Sequence, residues 1–208
     1  DSQVILVVIS EVEEKPEIIS DGGGTMALIQ VPENQRTVTL VQATDGDGDI
    51  LTYSLTGGSE KNYFSIISAT GELTFDSAPD YENPQDYGND NTYFTKVTAS
   101  DGRLTDVQTI RVEIVNQNDN KPNISSNGGQ ADASINVFEK QTAVTQMLAS
   151  DPDGDILIFS IQNEKDSSLF TINSATGRLE FVSPPLFIEP LDEDKNNIYE
   201  VTVRVSDG

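Results

Sequence analysis

Short runs of alternating apolar and polar residues recur along the chain. The clearest run covers residues 199–206, where Tyr, Val, Val and Val at the odd positions alternate with Glu, Thr, Arg and Ser at the even ones. The same period of two is found in residues 51–55, 73–75, 93–99 and 110–114. Such runs, separated by Gly, Asp, Asn and Pro, are typical of strands joined by turns. No segment has a helical stripe longer than a turn or two.

The whole pattern also repeats at a constant spacing. Residues 45–51 recur as residues 151–157, an offset of 151 − 45 = 106. When residues 17–102 are laid on residues 123–208 without a gap, 37 of 86 positions are identical. The sequence therefore predicts a tandem array. Its parts are 1–16, the final strand and linker of a preceding repeat, 17–122, a complete repeat, and 123–208, a second repeat without its final strand.

Each repeat holds about seven alternating runs, which predicts an all-β fold and a two-sheet antiparallel sandwich. Residues 4–9 match residues 110–115 at the same offset and are apolar on both faces. An exposed strand of this kind would invite pairing with another strand. One hypothesis is that it completes the second repeat of a neighbouring chain, head to tail. The other is that the chain is a piece cut from a longer protein.

Composition and charge exclude several classes of function. Twelve Lys and Arg residues stand against 35 Asp and Glu residues, which gives a net charge of −23. This charge disfavours nucleic acid and anionic membranes as partners, because both are polyanions. The absence of Cys and His removes thiolate chemistry, Ser-His-Asp triads and the usual zinc ligands. No stretch approaches the roughly 20 apolar residues that a membrane helix needs, so we expect no membrane insertion by this segment.

The acidic residues cluster where a sandwich would have its ends. The clusters are Glu33, Asp45 with Asp47 and Asp49, Asp80 with Glu82, Asp101, and residues 118–120. Taken singly, each cluster is explained by ordinary turn residues. Taken together they favour a hard divalent cation, because Ca²⁺ takes about six to eight oxygen ligands and offsets repulsion between carboxylates. An EF-hand loop starting at Asp45 is excluded, since Ile50 and Thr56 occupy its positions for Gly and Glu.

Five motifs in one order give the chain a resemblance to the cadherin repeat, and more narrowly to the cadherin-like repeats of large bacterial surface adhesins. The motifs are Val31-Pro32-Glu33-Asn34 for PEN, Asp80-Tyr81-Glu82 in the place of LDRE, residues 117–122 for the DxNDN linker, Asp151-Pro152-Asp153 for DxD, and a late Asp207. Asn116 replaces the leading Asp of the linker motif. The resemblance implies tandem Ig-like, Greek-key β-sandwiches of the cadherin type.

The resemblance also implies up to three Ca²⁺ ions at the junction of residues 17–122 with residues 123–208. The outermost ion would be held by Glu33, Asp80, Glu82 and Asp119. The middle ion would share Glu33, Glu82 and Asp119 and add the Gln117 carbonyl and Asp153. The third ion would be held by Asn118, the Asn120 carbonyl, Asp151, Asp153 and Asp207.

The other two junctions depart from this pattern. Upstream, Val12 offers no side-chain oxygen, so we expect one ion rather than three there. The weaker upstream candidates are Glu13, Glu14, Asp45, Asp47 and Asp101. Downstream, Glu139 is kept but Leu186 and Ile188 replace the acidic pair, so we expect little or no metal. Glu189, or Asp192 with Asp194, are candidates to compensate through a shifted loop.

Three functions follow for an extracellular, cell-surface protein. The first is a calcium-stiffened rod of tandem repeats in a membrane-associated adhesion protein, with calcium and neighbouring repeats as its partners. The second is a repeat that itself binds another copy or a polysaccharide, for which exposed aromatic residues such as Tyr63, Tyr87 and Phe94 are candidates. The third is a glycosidase-like pair of carboxylates drawn from Asp80, Glu82 and Asp86. We expect no enzyme, because calcium ligation explains those groups better.

Overall fold

The structure is a computed structural model that describes residues 2–10 and 12–208. It divides into two compact units, Asp1–Gln117 and Asn118–Gly208, and the division lies within the predicted linker. Strands dominate both units. The helical elements of the described residues are short 3-10 turns at Ser20–Gly22, Lys61–Tyr63, Ser126–Gly128 and Ser167–Leu169. In this part of the chain no helix has the length and apolarity that crossing a bilayer requires.

The first unit is a sandwich of two main sheets. Its strands are β1 (Glu17–Ile18), β2 (Met26–Pro32), β3 (Thr37–Leu40), β4 (Ala43–Thr44), β5 (Thr52–Gly57), β6 (Phe64–Ile66), β7 (Glu72–Phe75), β8 (Thr92–Ser100) and β9 (Thr105–Val115). One sheet has the order β2-β9-β8-β5 and the other the order β3-β7-β6, while β1 pairs with β4. The alternating runs predicted around residues 51–55, 73–75, 93–99 and 110–114 are all strands here.

One pairing in this sandwich differs from the antiparallel expectation. β2 runs parallel to β9 along its whole length, from Met26 opposite Thr109 to Pro32 opposite Val115. The two strands are distant in sequence, so no tight turn forces them to be antiparallel. β2 is also reached from β1, which pairs in a different sheet. The parallel pairing places the end of β2 beside the end of β9, where the linker begins.

The second unit repeats this plan with fewer paired strands. Its strands are β10 (Asn123–Ile124), β11 (Ala143–Gln146), β12 (Ala149–Ser150), β13 (Ile158–Ile161), β14 (Phe170–Ile172), β15 (Arg178–Phe181) and β16 (Val203–Ser206). They pair in the orders β11-β15-β14, β13-β16 and β10-β12.

The strand predicted at residues 199–205 is shorter than expected, because only β16 at its end is paired. In the first unit, the early part of β8 pairs with β9 alone, as Tyr93 does with Val112. Positions 106 residues beyond β9 lie after residue 208, so residues 199–202 have no such partner strand among the described residues. Residues 132–138, the counterpart of β2, form no strand for the same reason.

Residues 4–9 form no strand with any part of the chain that the structure describes. Their six apolar side chains are all exposed. The assignment of residues 1–16 to a preceding repeat, and the pairing of residues 4–9 with a neighbouring chain, therefore stay predictions.

Each unit has its own apolar core, built on the same aromatic contacts. In the first unit the rings of Phe64 and Phe75 stack with centroids 4.5 Å apart, and Phe75 meets Tyr93 of the opposite sheet edge-on at 5.2 Å. In the second unit Phe181 stacks on Phe170 at 4.6 Å and meets Tyr199 at 5.1 Å. The alternating residues of the two sheets thus face each other, which is what their period of two predicts.

The recurring residues 68–71 serve the fold rather than a binding site. Gly71 has a φ of +77°, and a Cβ there would lie 2.1 Å from the carbonyl oxygen of Val41. Its own carbonyl accepts the N–H of Val41 at 2.9 Å. Only glycine allows this turn to approach so closely, so its recurrence at position 177 has a structural cause.

We expect Leu73→Ala in β7 to lower the free energy of unfolding of the first unit by about 3 kcal/mol, because this fully buried side chain leaves a cavity. Its counterpart Leu179→Ala should lower the stability of the second unit by a similar amount. Urea unfolding followed by circular dichroism measures both changes. Leu28→Ala, on an exposed position of β2, is the control and should change stability by less than about 0.5 kcal/mol. Equal effects of Leu73→Ala and Leu28→Ala would contradict the assigned core.

Candidate metal centre

Glu33 ties three parts of the first unit together. It follows β2 directly, and its N–H donates to the Val115 carbonyl at the end of β9 at 3.0 Å. Its side chain is only 2% exposed, and its two oxygens accept backbone N–H groups from Tyr81 at 2.8 Å and from Gln117 at 2.9 Å. A buried carboxylate held in this way is preorganised, because hydrogen bonds orient both of its oxygens.

The other first-unit candidates flank Tyr81, so Glu33 also positions their loop. Asp80 is exposed and accepts the N–H of Asn83 at 3.1 Å. Glu82 is half-buried, and one of its carboxylate oxygens lies within 4.8 Å of one of Glu33. We call Glu33, Asp80 and Glu82 the first-unit carboxylates. They are brought to one end of the first unit, beside the residues that lead into the linker.

A second group lies at the start of the second unit. Carboxylate oxygens of Asp151, Asp153 and Asp155 lie within 4.8 Å of one another. Asp151 Oδ1 accepts the N–H of Asp153 at 2.9 Å, whereas its Oδ2 is buried and receives no hydrogen bond from the described residues. Such an oxygen is costly unless a donor or a cation meets it. We call Asp119, Asp151, Asp153 and Asp155 the second-unit carboxylates.

The linker residues are bound to this second group. Asp153 Oδ2 accepts the N–H groups of Asp119 at 3.2 Å and of Asn120 at 2.8 Å. The side-chain amide of Asn120 donates to Asp153 Oδ1 at 2.9 Å and to Asp119 Oδ1 at 2.7 Å. Asn118 lies close to Gly208, since a Cβ on Gly208 would be 3.8 Å from Asn118 Nδ2. Asp207, next to Gly208, is therefore in the same neighbourhood.

The upstream candidates also come together, within the first unit. The N–H of Glu14 donates to Asp47 Oδ2 at 2.7 Å, and Asp45 Oδ1 accepts the N–H of Asp47 at 3.0 Å. Single carboxylate oxygens of Glu13, Asp45 and Asp101 are buried and receive no hydrogen bond from the described residues. Three such oxygens fit a cation, which is the expected chemistry of this group.

Arg103 changes the charge of this upstream group. Its guanidinium binds Glu13 at 2.5 Å. Its backbone N–H donates to Asp101 Oδ1 at 2.6 Å, and this hydrogen bond holds the pKa of Asp101 below its usual range. A cation of the protein itself therefore already neutralises part of the upstream charge. The sequence reasoning missed Arg103, although a basic residue two positions after Asp101 was a visible signal.

At the downstream end, Glu139 occupies the position of Glu33 in the second unit. Its Oε2 accepts the N–H of Phe187 at 3.1 Å, and Lys140 lies 3.4 Å from its Oε1. The hydrogen bond from Phe187, followed by the charge of Lys140, holds the pKa of Glu139 below its usual value. Leu186 and Ile188 supply no oxygen from their side chains. The expectation of little or no metal at this end stays a prediction.

Asp155 is the ligand candidate that the sequence reasoning left out of its assigned sites. Its signal was the alternation of Asp at 151, 153 and 155, which places three carboxylates on one side of a tight loop. Its counterpart Asp49 donates its N–H to Asp45 Oδ1 at 3.2 Å.

Two alternative readings of single residues receive ordinary explanations. Asp86 is 3% exposed, and its oxygens accept the backbone N–H groups of Gly88, Asp90 and Asn91, which is a turn-closing role. Among the aromatic candidates, Tyr63 packs edge-on against Tyr93 with ring centroids 5.9 Å apart. Phe94 is half-buried in β8, and only Tyr87, 93% exposed, has a ring that is free of the core.

We expect Glu33→Gln to destabilise the first unit by about 2 kcal/mol in the absence of metal, because the amide end of Gln would face a backbone N–H. Glu72→Gln, on an exposed position of β7, removes the same charge and should be nearly neutral. Thermal unfolding in the presence of a chelator compares the two. If both variants behaved alike, Glu33 would not hold the loop and the linker as described.

Known proteins resemble this chain in sequence and in structure. A sequence model of the Cadherin domain matches residues 27–115. Protocadherin Fat 4 of Mus musculus is 29% identical over 184 residues, which is 85% of this chain and 3% of that protein. Protocadherin Fat 1 of Homo sapiens is 32% identical over 163 residues, 76% of this chain and 3% of that protein. The chain thus spans a small fraction of the length of these relatives.

Solved structures confirm the fold. Human Protocadherin-24 EC1-2 matches with a TM-score of 0.67 and 23% identity over 94% of both chains. Drosophila N-cadherin EC1-4 matches with a TM-score of 0.67 and 20% identity over 93% of this chain and 45% of that one. The predicted Ig-like sandwich of the cadherin type is therefore confirmed, while the narrower resemblance to bacterial adhesins stays a prediction.

The family also accounts for location and for the lack of catalysis. Cadherins are adhesion proteins without enzymatic activity, and their repeats lie outside the cell. The predicted extracellular location and non-enzymatic character follow from the same matches. By its Cadherin domain, its protocadherin relatives and its two-sheet repeats, the chain belongs to the cadherin family.

Proposed function

We propose that Ca²⁺ binds at the junction of residues 17–122 with residues 123–208 and makes that junction stiff. The observation that carries this proposal is that a carboxylate from each repeat holds the linker. Glu33 accepts the N–H of Gln117, and Asp153 accepts the N–H groups of Asp119 and Asn120. Two residues of extended chain span only about 7 Å, so the linker itself limits the separation of these carboxylates.

The proposed ligands come from three successive parts of the chain. The first unit supplies Glu33, Asp80 and Glu82, the linker supplies residues 117–120, and the second unit supplies Asp151, Asp153 and Asp207. Three ions would be distributed over them as the family resemblance implies, and Asp155 joins the set as an additional candidate. Such carboxylate, amide and carbonyl oxygens are the ligands that Ca²⁺ prefers.

The electrostatics of the chain support this site. A net charge of −23 makes the close approach of several carboxylates unfavourable unless cations offset it. Three Ca²⁺ ions carry a total charge of +6, placed where the proposed ligands are densest. The buried Oδ2 of Asp151, which receives no hydrogen bond from the described residues, is a ligand atom waiting for such a cation.

The mechanical consequence follows from shared ligation. Without ions, residues 117–122 are a short polar segment, and charge repulsion favours a variable angle between the repeats. A bound Ca²⁺ ion takes oxygens from both repeats and from the linker, so it is held best at one relative orientation. We propose that the chain is therefore a stiffened section of a longer cell-surface adhesion protein, which extends a binding region away from the cell.

The upstream junction would respond differently to calcium. Its buried oxygens on Glu13, Asp45 and Asp101 support one ion. Arg103 supplies a permanent positive charge to Glu13, which lowers the charge available for further ions. We therefore propose one ion upstream, with a weaker affinity than at the junction of the two repeats.

Adding Ca²⁺ to the chelated protein should lengthen the particle and raise its thermal unfolding temperature by mass action. Small-angle X-ray scattering with and without chelator measures the maximum dimension. An unchanged dimension would refute stiffening by calcium. A concentration series in the same experiment tests the alternative, because growth of the particle mass with concentration would favour a repeat that itself adheres to another copy.

Asp119→Ala should remove a ligand of two of the three proposed ions and lower the amount of Ca²⁺ bound per chain. Equilibrium dialysis at fixed free Ca²⁺ measures this. Asp132→Ala removes the same charge at an exposed position and is the matched control. The ligand assignment is wrong if the two variants bind as much Ca²⁺ as the unaltered chain.

A further inference from the structure

The loop before β16 in the second unit carries a second arrangement of acidic oxygens. Asp192, Asp194 and Asn196 alternate along it, and Lys195 and Asn197 have positive φ angles of 60° and 65°. These two left-handed residues turn the chain back on itself, so alternate side chains converge on the inside of the loop.

Asp192 is the centre of this loop and is only 2% exposed. Its Oδ2 accepts the N–H of Asn196 at 2.7 Å. Its Oδ1 is buried and receives no hydrogen bond from the part of the chain that the structure describes. Turn closure therefore uses only one of its oxygens, and the other is left in a place where neither water nor a donor reaches it.

Asp194 brings a second carboxyl group to the same point. It interacts with the carboxyl group of Asp192. Its Oδ2 also accepts the side-chain amide of Asn196 at 2.6 Å, and Asn196 Oδ1 accepts the N–H of Ile198 at 2.6 Å. Burial by itself raises the pKa of Asp192, but the hydrogen bond from Asn196 and the contact with Asp194 leave that pKa below its usual value. Two ionised carboxylates in contact repel each other unless a cation lies between them.

The first unit contains the same loop without this feature. Asp86, the counterpart of Asp192 at 192 − 106 = 86, is equally buried. There Oδ1 accepts the N–H of Asn91 at 3.0 Å, so both oxygens of Asp86 are used. Gly88 stands where the second unit has Asp194. Closing the turn thus requires neither a second carboxylate nor an oxygen without a donor.

We propose that the loop of residues 192–198 binds one Ca²⁺ ion through Asp192 Oδ1, the carboxylate of Asp194 and carbonyl oxygens of the loop. This site lies within the second unit and is independent of the proposed junction site. Ca²⁺ suits it because the ligands are hard oxygens in an irregular arrangement, and water completes the shell on the exposed side. The position that a bidentate Glu would take, 11 residues after Asp192, is Val203. We therefore expect a dissociation constant of about 0.1–1 mM.

The experiment is a Ca²⁺ titration of the 208-residue chain followed by the backbone amide signals of residues 192–198 in NMR. We expect saturable shifts that Asp194→Asn weakens on the order of tenfold or more, because it removes one ligand charge. Glu193→Gln, an exposed neighbour with the same charge, should leave the affinity within about twofold. Asp119→Ala should leave these particular shifts in place, which separates this site from the junction.

Three results would overturn the proposal. They are the absence of saturable shifts at residues 192–198 up to about 10 mM Ca²⁺, an equal loss in Asp194→Asn and Glu193→Gln, and a loss of these shifts in Asp119→Ala. The first result uses the unaltered chain, so it decides the question even if a variant fails to fold. Saturation by Mg²⁺ at the same concentration as by Ca²⁺ would also contradict the assigned ion.

Discussion

Carboxylate oxygens that fold into a protein interior must be met by a donor or by a cation, and much of the arrangement of both repeats depends on this constraint. Glu33 and Asp86 meet it with backbone N–H groups, and each thereby holds a loop in place. Asp151 and Asp192 meet it only in part, because one oxygen of each is buried without a donor from the described residues. The first pair explains local structure, whereas the second pair marks positions where a cation is the natural complement.

The sandwich produces this situation at its ends rather than in its core. The parallel pairing of β2 with β9 brings Glu33 beside the last residues of the first unit, and its carboxylate reaches both the 80–82 loop and Gln117. In the second unit, Asp153 holds the next two residues of the same linker. Strand pairing therefore positions the acidic residues, and their repulsion is a consequence of the fold.

The periodicity of the sequence predicts most strands but not every pairing. The runs at residues 51–55, 73–75, 93–99 and 110–114 form strands, because their apolar residues need one buried face. The direction of β2 could not be predicted, since two strands far apart in sequence can pair either way. Residues 199–202 show the opposite limit. Their alternation is as regular as that of β16, but a strand also requires a neighbour for its hydrogen bonds, and sequence patterning does not reveal whether that neighbour is present.

The candidate sites show how far an internal repeat can separate charge from structure. Positions that match at the offset of 106 share a backbone plan, so a difference in side chain between them has no structural necessity. Gly88 and Asp194 close the same turn, yet only the second adds a carboxylate beside a buried oxygen of Asp192. Arg103 likewise adds to the upstream group a cation that no residue type in the acidic motifs predicts. Because these differences are independent of the fold, each acidic group can acquire its own calcium affinity while both repeats keep one architecture.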